Sequence, residues 1–311
     1  MLLLAGPAAA EPLRLSVRPA DLDPRDARAT RVGQLDFVGG LEFSSRHARF
    51  GGYSGLAIDE GGLRLVAVSD LGHWLVARLV RDEAGRIRDV VDAEIHPILD
   101  RNAQPFTVKR AGDAEALERL PDGGYLVAFE QVHRVARYAG PRPWLSRAEP
   151  QTAPAEMSRQ PSNGGVETMA RLADGRLVLV SETDERAPGT LKAWIGAGGT
   201  WREAGYRRRG DYRPVDAKAL ANGDLLVLER AFTLLGGFSS RLVRVPAAEF
   251  RPGATFEGRD VAEIASPLVA ENFEGLAVEP AGRDGTFVFL LSDDNRVALQ
   301  RTLLLQFRLI P

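Results

Sequence analysis

The stretch from Asn163 to Glu185, NGGVETMARLADGRLVLVSETDE, decides how the rest of the chain is read. It opens with an acid and a short apolar run, Glu167-Thr-Met-Ala170, and turns at Ala173-Asp-Gly175. It then runs through Leu177-Val-Leu-Val180 to a second acid, Glu182. Short apolar runs bounded by Asp-Gly are the pattern of buried strands, and two such runs around a tight turn make a hairpin.

The unit recurs four times. Tyr53-Ser-Gly-Leu-Ala-Ile58 precedes Leu65-Val-Ala-Val-Ser-Asp70, and Glu115-Ala-Leu-Glu-Arg-Leu120 precedes Tyr125-Leu-Val-Ala-Phe-Glu130 across Pro121-Asp-Gly-Gly124. Asp216-Ala-Lys-Ala-Leu220 precedes Leu225-Leu-Val-Leu-Glu229 across Ala221-Asn-Gly223, and Glu274-Gly-Leu-Ala-Val278 precedes Phe287-Val-Phe-Leu-Leu-Ser-Asp293. The repeats start roughly 50 to 60 residues apart, the period of four-stranded propeller blades. The expected fold is all-β: a β-propeller of five or six four-stranded blades, the sixth a degenerate one where the chain ends meet. Weaker strands at residues 74–80, 133–138, 191–195 and 242–245 suit outer blade positions. Residues 35–43 and 302–309 have strand character and are expected to pair, closing the ring and leaving only short edges.

Residues 1–10, apolar and ending Ala8-Ala-Ala10, read as the remnant of a secretory signal, and residues 11–31 as a leader or extended arm, with order beginning near Val32. Residues 32–311 then form a single propeller domain. The Pro-rich residues 141–161 read as an irregular surface excursion. A chain of 311 residues with 44% hydrophobic residues can bury a large core. The 40 basic and 42 acidic residues are well mixed, which gives no footprint for nucleic acid or an anionic membrane surface. No later stretch approaches a membrane span. The absence of cysteine excludes disulfides, thiol catalysis and Cys-based metal sites. Together these point to a periplasmic or secreted monomer acting on a small molecule.

In a propeller, equivalent ends of the inner strands converge on a central channel. One ring of Ser54, Glu115, Glu167, Asp216 and Glu274 is expected to share a mouth with a second ring of Asp70, Glu130, Glu182, Glu229 and Asp293. So many carboxylates cannot all stay ionised and unpaired. Arg134, Lys218, Arg230 and Arg296 could neutralise them; so could a hard cation such as Ca2+, with Asn163, Asn272 and Asn295 nearby as further oxygen ligands. The nine acids of the two rings are therefore the candidate metal ligands.

Other motifs are weak. His47, His73, His96 and His133 are scattered and show no zinc spacing. Gly52-Tyr-Ser-Gly-Leu56 lacks the second glycine of a nucleophile elbow, no phosphate loop is present, and Arg207-Arg-Arg209 reads as a solvated edge.

With the repeats laid out, the chain resembles the phytase-like ("esterase-like activity of phytase") β-propeller family. The resemblance is carried by Val68-Ser-Asp70, Asp113-Ala-Glu-Ala-Leu117 with Leu120-Pro-Asp-Gly123, and Phe129-Glu-Gln-Val-His-Arg134. Leu228-Glu-Arg230, Asn272-Phe-Glu-Gly-Leu276, and Ser292-Asp-Asp-Asn295 with Gln300-Arg-Thr-Leu-Leu304 complete it. It covers residues from about Gly33 to the end. The resemblance implies an exported propeller and metal-assisted hydrolysis of a phosphate or carboxylate ester. By analogy with calcium-dependent propeller phytases it would place Glu115, Glu167, Glu274 and Asp293 on metal and Arg134 or Arg230 on the phosphate, with Glu167, Glu115, Arg230 and Arg134 as the catalytic set. The alternative is a non-catalytic propeller that binds a small ligand or cell-envelope partner, its acids held by Arg and Lys.

Overall fold

The computed structural model describes residues 11–59, 61–281 and 285–310, so the apolar start at residues 1–10 lies outside the described residues. Five antiparallel sheets stand around a central channel as the five blades of a β-propeller. The inner strands of blades 1 to 5 are Tyr53–Asp59, Ala114–Arg119, Val166–Arg171, Arg213–Ala219 and Asn272–Pro280, and each touches the next around a closed ring. Outward from them each blade runs through three further strands, for example Leu177–Ala187, Thr190–Ala197 and Thr200–Arg207 in blade 3. Among the described residues the count is five, and no sixth blade stands at the junction of the ends.

The inner hairpins follow from their turn chemistry. In Leu172-Ala-Asp-Gly175 the Gly175 N–H donates to the Leu172 carbonyl at 2.9 Å, and Gly175 sits at φ 89°. A side chain there would be strained, so glycine ends the turn. Gly123 and Gly223 repeat the device at φ 84° and 88°.

Burial holds the blades face to face. Five apolar clusters fill the five interfaces; Trp74, Tyr125 and Tyr138 between blades 1 and 2 are all fully buried. Truncating one such aromatic to alanine costs about 3–5 kcal/mol.

Closure is as the sequence predicts: Leu35–Ser44 pairs antiparallel with Thr302–Leu309, from Leu35 opposite Leu309 to Phe43 opposite Thr302, as the fourth and third strands of blade 5. Two readings are corrected. Residues before Val32 are already ordered in strands, because the arm finds open sheet edges: Glu11–Pro12 pairs with Glu94 and Ile95 of blade 1, and Ser16–Pro19 pairs with residues 41–44 of blade 5. The arm therefore straps the seam between the first and last blades. The Pro-rich segment is likewise not wholly irregular, since its Glu149–Gln151 is the outer strand of blade 2.

Candidate metal and catalytic mouth of the channel

Every inner strand carries one β-bulge near its start, and the bulge decides which side chain meets the mouth. Pairing skips from Ala114 to Ala116 in blade 2, from Val166 to Thr168 in blade 3 and from Phe273 to Gly275 in blade 5. The unpaired residues are Glu115, Glu167 and Glu274; in blade 1 the same slip frees Ser54. A bulge leaves one residue outside the ladder and re-aims its side chain. Blade 4 slips between Pro214 and Asp216, so its bulged residue is Val215.

This register corrects the sequence reading by one residue. Asp216 lies one place past the bulge, fully buried, where its Oδ1 accepts Lys218 Nζ and its Oδ2 accepts the Leu276 N–H at 2.8 Å. Glu229 pairs with Pro214 and accepts Tyr206 Oη at 2.7 Å and Arg241 Nε at 2.7 Å, buried away from the mouth. The position matching Asp70, Glu130, Glu182 and Asp293 is taken in blade 4 by Arg230. Blade 4 therefore brings a cation where the other four bring acids.

The seven remaining acids do converge. Arg230 Nη2 lies 3.3 Å from Glu274 Oε1, 3.4 Å from Glu182 Oε1 and 4.0 Å from Glu167 Oε2. Burial works against its charge, but Glu274, Glu167 and Glu182 outweigh it and hold the guanidinium more firmly protonated than usual. Arg213 adds a second cation 3.6 Å from Glu182.

The opposite sector has no guanidinium, and its one cation among the described residues is the ammonium of Lys109. Asp113, Glu115 and Glu130 offer oxygens that all lie within 4.8 Å of one another. Burial pushes Glu115 well above its usual value, and the charges of Glu167, Glu274 and Asp113 push it further. Burial also raises Glu130, although the Gly165 N–H at 3.0 Å and the Gly164 N–H donate to it. Asp113 accepts Gln131 Nε2 and stands 3.8 Å from Lys109 Nζ, which lies closer, at 2.7 Å, to Asp70. Asp293 is raised to about 8, first by burial and then by Glu274.

Sequence reasoning missed Asp113, which sits directly before the blade 2 inner strand; the alternation Asp113-Ala-Glu115 was its signal. It also missed Lys109 and Gln131. Arg134 is present but turned away. Its guanidinium donates to the carbonyls of Val132 (2.8 Å) and Ala111 and lies 3.8 Å over the Phe129 ring, bracing the segments that bear Gln131 and Asp113.

A cleft of about 510 Å³ opens beside Arg230, lined among others by Glu130, Glu167, Glu182, Arg208, Arg213 and Phe232. A larger cavity, about 660 Å³, lies against the N-terminal arm near Arg14 and His47 and includes none of these acids.

A family model described as "Phytase-like: Esterase-like activity of phytase" matches residues 48–296. The chain belongs to this phytase-like family, and within it is a five-bladed propeller. No curated protein matches it. Among solved structures it is similar to a luciferin-regenerating enzyme at 11% identity, over 84% of this chain and 93% of that one, with a TM-score of 0.46. It is also similar to the PQQ-bound aldose sugar dehydrogenase of Streptomyces coelicolor, at 13% identity over 96% and 99% of the two chains (TM-score 0.43), and to the RRP9 WD40 repeats, at 11% over 96% and 100% (TM-score 0.44). None of these three likenesses bears on what the chain does. No helix among the described residues is long and apolar enough to cross a membrane.

Proposed function

We propose that the protein is an exported, monomeric hydrolase that cleaves a phosphate or carboxylate ester at the acid mouth with the help of a bound divalent cation, most simply calcium. The observation that carries this reading is the division of the mouth. Arg230 neutralises one set of acids, while Asp113, Glu115 and Glu130 crowd within 4.8 Å with no guanidinium among them. A hard cation fits this set. Asp113 Oδ1 is buried without a hydrogen-bond partner, and the triad contains no imidazole or thiolate to favour zinc. The apolar residues 1–10, read as a signal remnant, support export.

Asp113, Glu115 and Glu130 would hold the cation, whose chemistry when bound is to polarise an ester oxygen and make a bound water more acidic. The other roles fall to the chain itself. Arg230 presents a charged donor to the anionic end of a substrate lying in the cleft beside Arg213 and Phe232. Glu167, held well above the usual carboxylate range by burial and then by Glu182, is the carboxyl group that can take a proton from the attacking water and return it to the leaving group. Asn272 Nδ2 donates to Glu274 at 2.9 Å and fixes that carboxylate against Arg230.

The test is a panel of phosphate monoesters and carboxylate esters assayed with calcium and with chelator. Hydrolysis that needs calcium and falls at least about a hundredfold in Glu115→Gln supports the proposal; an inert protein across the panel ends it. A second reading, a binding propeller without catalysis, draws on the contacts of Arg230 and Lys109, which already neutralise part of the mouth from within. A cation at 100-fold over its dissociation constant adds about 2.7 kcal/mol of stability, so a thermal melt unmoved by chelator favours that second reading.

A further inference from the structure

The far end of the channel holds a second cavity, of about 270 Å³, where the inner strands run into their turns. Its walls come from all five blades. Ala57 and Ile58 of blade 1 and Ala277 and Val278 of blade 5 supply an apolar side, while Glu118, Arg171 and Lys218 of blades 2, 3 and 4 supply charge.

The charged groups are unevenly satisfied. Lys218 is nine-tenths buried, and its ammonium donates to Asp216 Oδ1 and, at 3.2 Å, to the Ala217 carbonyl, which leaves one N–H. Glu118 is equally buried, and its Oε2 has no hydrogen-bond partner among the described residues. Arg171 stands at the rim, and the nearby carboxylates are engaged elsewhere: Asp174 with Arg176 at 2.7 Å, and Asp59 with Tyr125 Oη and, at 3.8 Å, Arg119. Cationic donors therefore converge on a small, partly apolar space that contains an unsatisfied buried carboxyl group.

We propose that this cavity is a second ligand site, separate from the acid mouth, for a small apolar monocarboxylate. The ligand's carboxylate lies between Arg171 and the free Lys218 N–H and accepts a hydrogen bond from the protonated Glu118, and its hydrocarbon part rests on Ala57, Ile58, Ala277 and Val278. At about 30 Å³ per water the space equals roughly nine waters, so it suits a ligand of roughly ten non-hydrogen atoms. A dianion is disfavoured, because Glu118 and Asp216 limit the positive charge available.

Proton linkage gives the site a signature. Burial raises Glu118 to about 7; Lys218 and Arg171 pull it down and Asp216 pushes it up. Below that value the carboxyl can donate to the ligand. Above it the ionised group repels a carboxylate, so affinity falls by roughly tenfold per pH unit.

Sodium benzoate titrated calorimetrically into the full chain at about pH 6 and about pH 8.5 tests the proposal. The expected result is saturable one-to-one binding that weakens at least about tenfold at the higher pH, is lost by about tenfold or more in Arg171→Ala, and is unchanged in Glu167→Gln at the opposite mouth. Glu118→Gln keeps the neutral donor, so it should bind at both pH values with the pH dependence gone; this variant decides the matter if Arg171→Ala fails to fold. Absence of binding to the parent chain overturns the proposal. So does binding that survives Arg171→Ala, that disappears in Glu167→Gln, or that keeps its pH dependence in Glu118→Gln.

Discussion

Blades 2 and 4 occupy equivalent places around the channel and meet the mouth with opposite charge. Blade 2 brings Asp113, Glu115 and Glu130; blade 4 brings Val215 and Arg230. Both use the same hairpin and the same bulge, so the difference lies entirely in which residues fill the re-aimed positions. A repeat architecture fixes where side chains converge and leaves their charge free. Here that freedom divides one mouth into a sector crowded with acids, the proposed cation site, and a sector built around the guanidinium of Arg230.

The largest expected effect comes from removing the blade 4 cation. Arg230→Ala leaves Glu167 and Glu274 without a counter-charge and Glu182 with Arg213 alone, and should cost about 3 kcal/mol in chemical denaturation. That is the low end for a broken buried pair, because a quarter of the Arg230 side chain is still exposed. The loss should shrink at low pH as the acids take up protons; a cost independent of pH would break the comparison.

Chelation should come next, lowering the melt by the equivalent of about 2–3 kcal/mol in the parent chain and by nothing in Glu115→Gln. Its pH dependence has a definite sign. Asp293 has its folded value raised from 3.8 to about 8, so its contribution to stability is complete below 3.8 and is lost as pH rises through about 8. Chelated protein should therefore melt lower at pH above about 8 than near pH 6, and added calcium should narrow that gap. A chelated melt that rises with pH would contradict the crowding of these acids.

Two smaller changes sharpen the contrast. Val215→Glu gives blade 4 the acid it lacks and should lower stability in chelator by about 1 kcal/mol while tightening calcium binding. Arg134→Lys loses the planar stack on Phe129 and one carbonyl contact, and should cost about 1 kcal/mol without moving the pH profile of hydrolysis. A profile shifted by that variant would return Arg134 to the reacting groups.

Much of this was legible in the sequence, for identifiable reasons. Asp-Gly turns and apolar runs gave the five hairpins because glycine at positive φ and strands buried on both faces leave strong local marks. The partnership of residues 35–43 with 302–309 followed from the need to close a ring. The acids of blades 1, 2, 3 and 5 that open or end the repeated strings were found for that reason, whereas Asp113, one place before its strand, was not. Blade 4 misled because its string contains acids at Asp216 and Glu229, each one place from the position that faces the mouth. A bulge inserts one residue without altering the alternation around it, so Val215 and Arg230 could be told from their acidic neighbours only through the strand register. Arg134 misled for a different reason: its nearness to Glu130 in sequence says nothing of the Phe129 ring that holds it.

The most direct measurement is the anomalous difference density of crystals grown with calcium. The account predicts one strong peak about 2.3–2.6 Å from carboxylate oxygens of Asp113, Glu115 and Glu130, with Arg230 still on Glu182 and Glu274. A mouth with no peak, its blade 2 acids held by Lys109 alone, would contradict it.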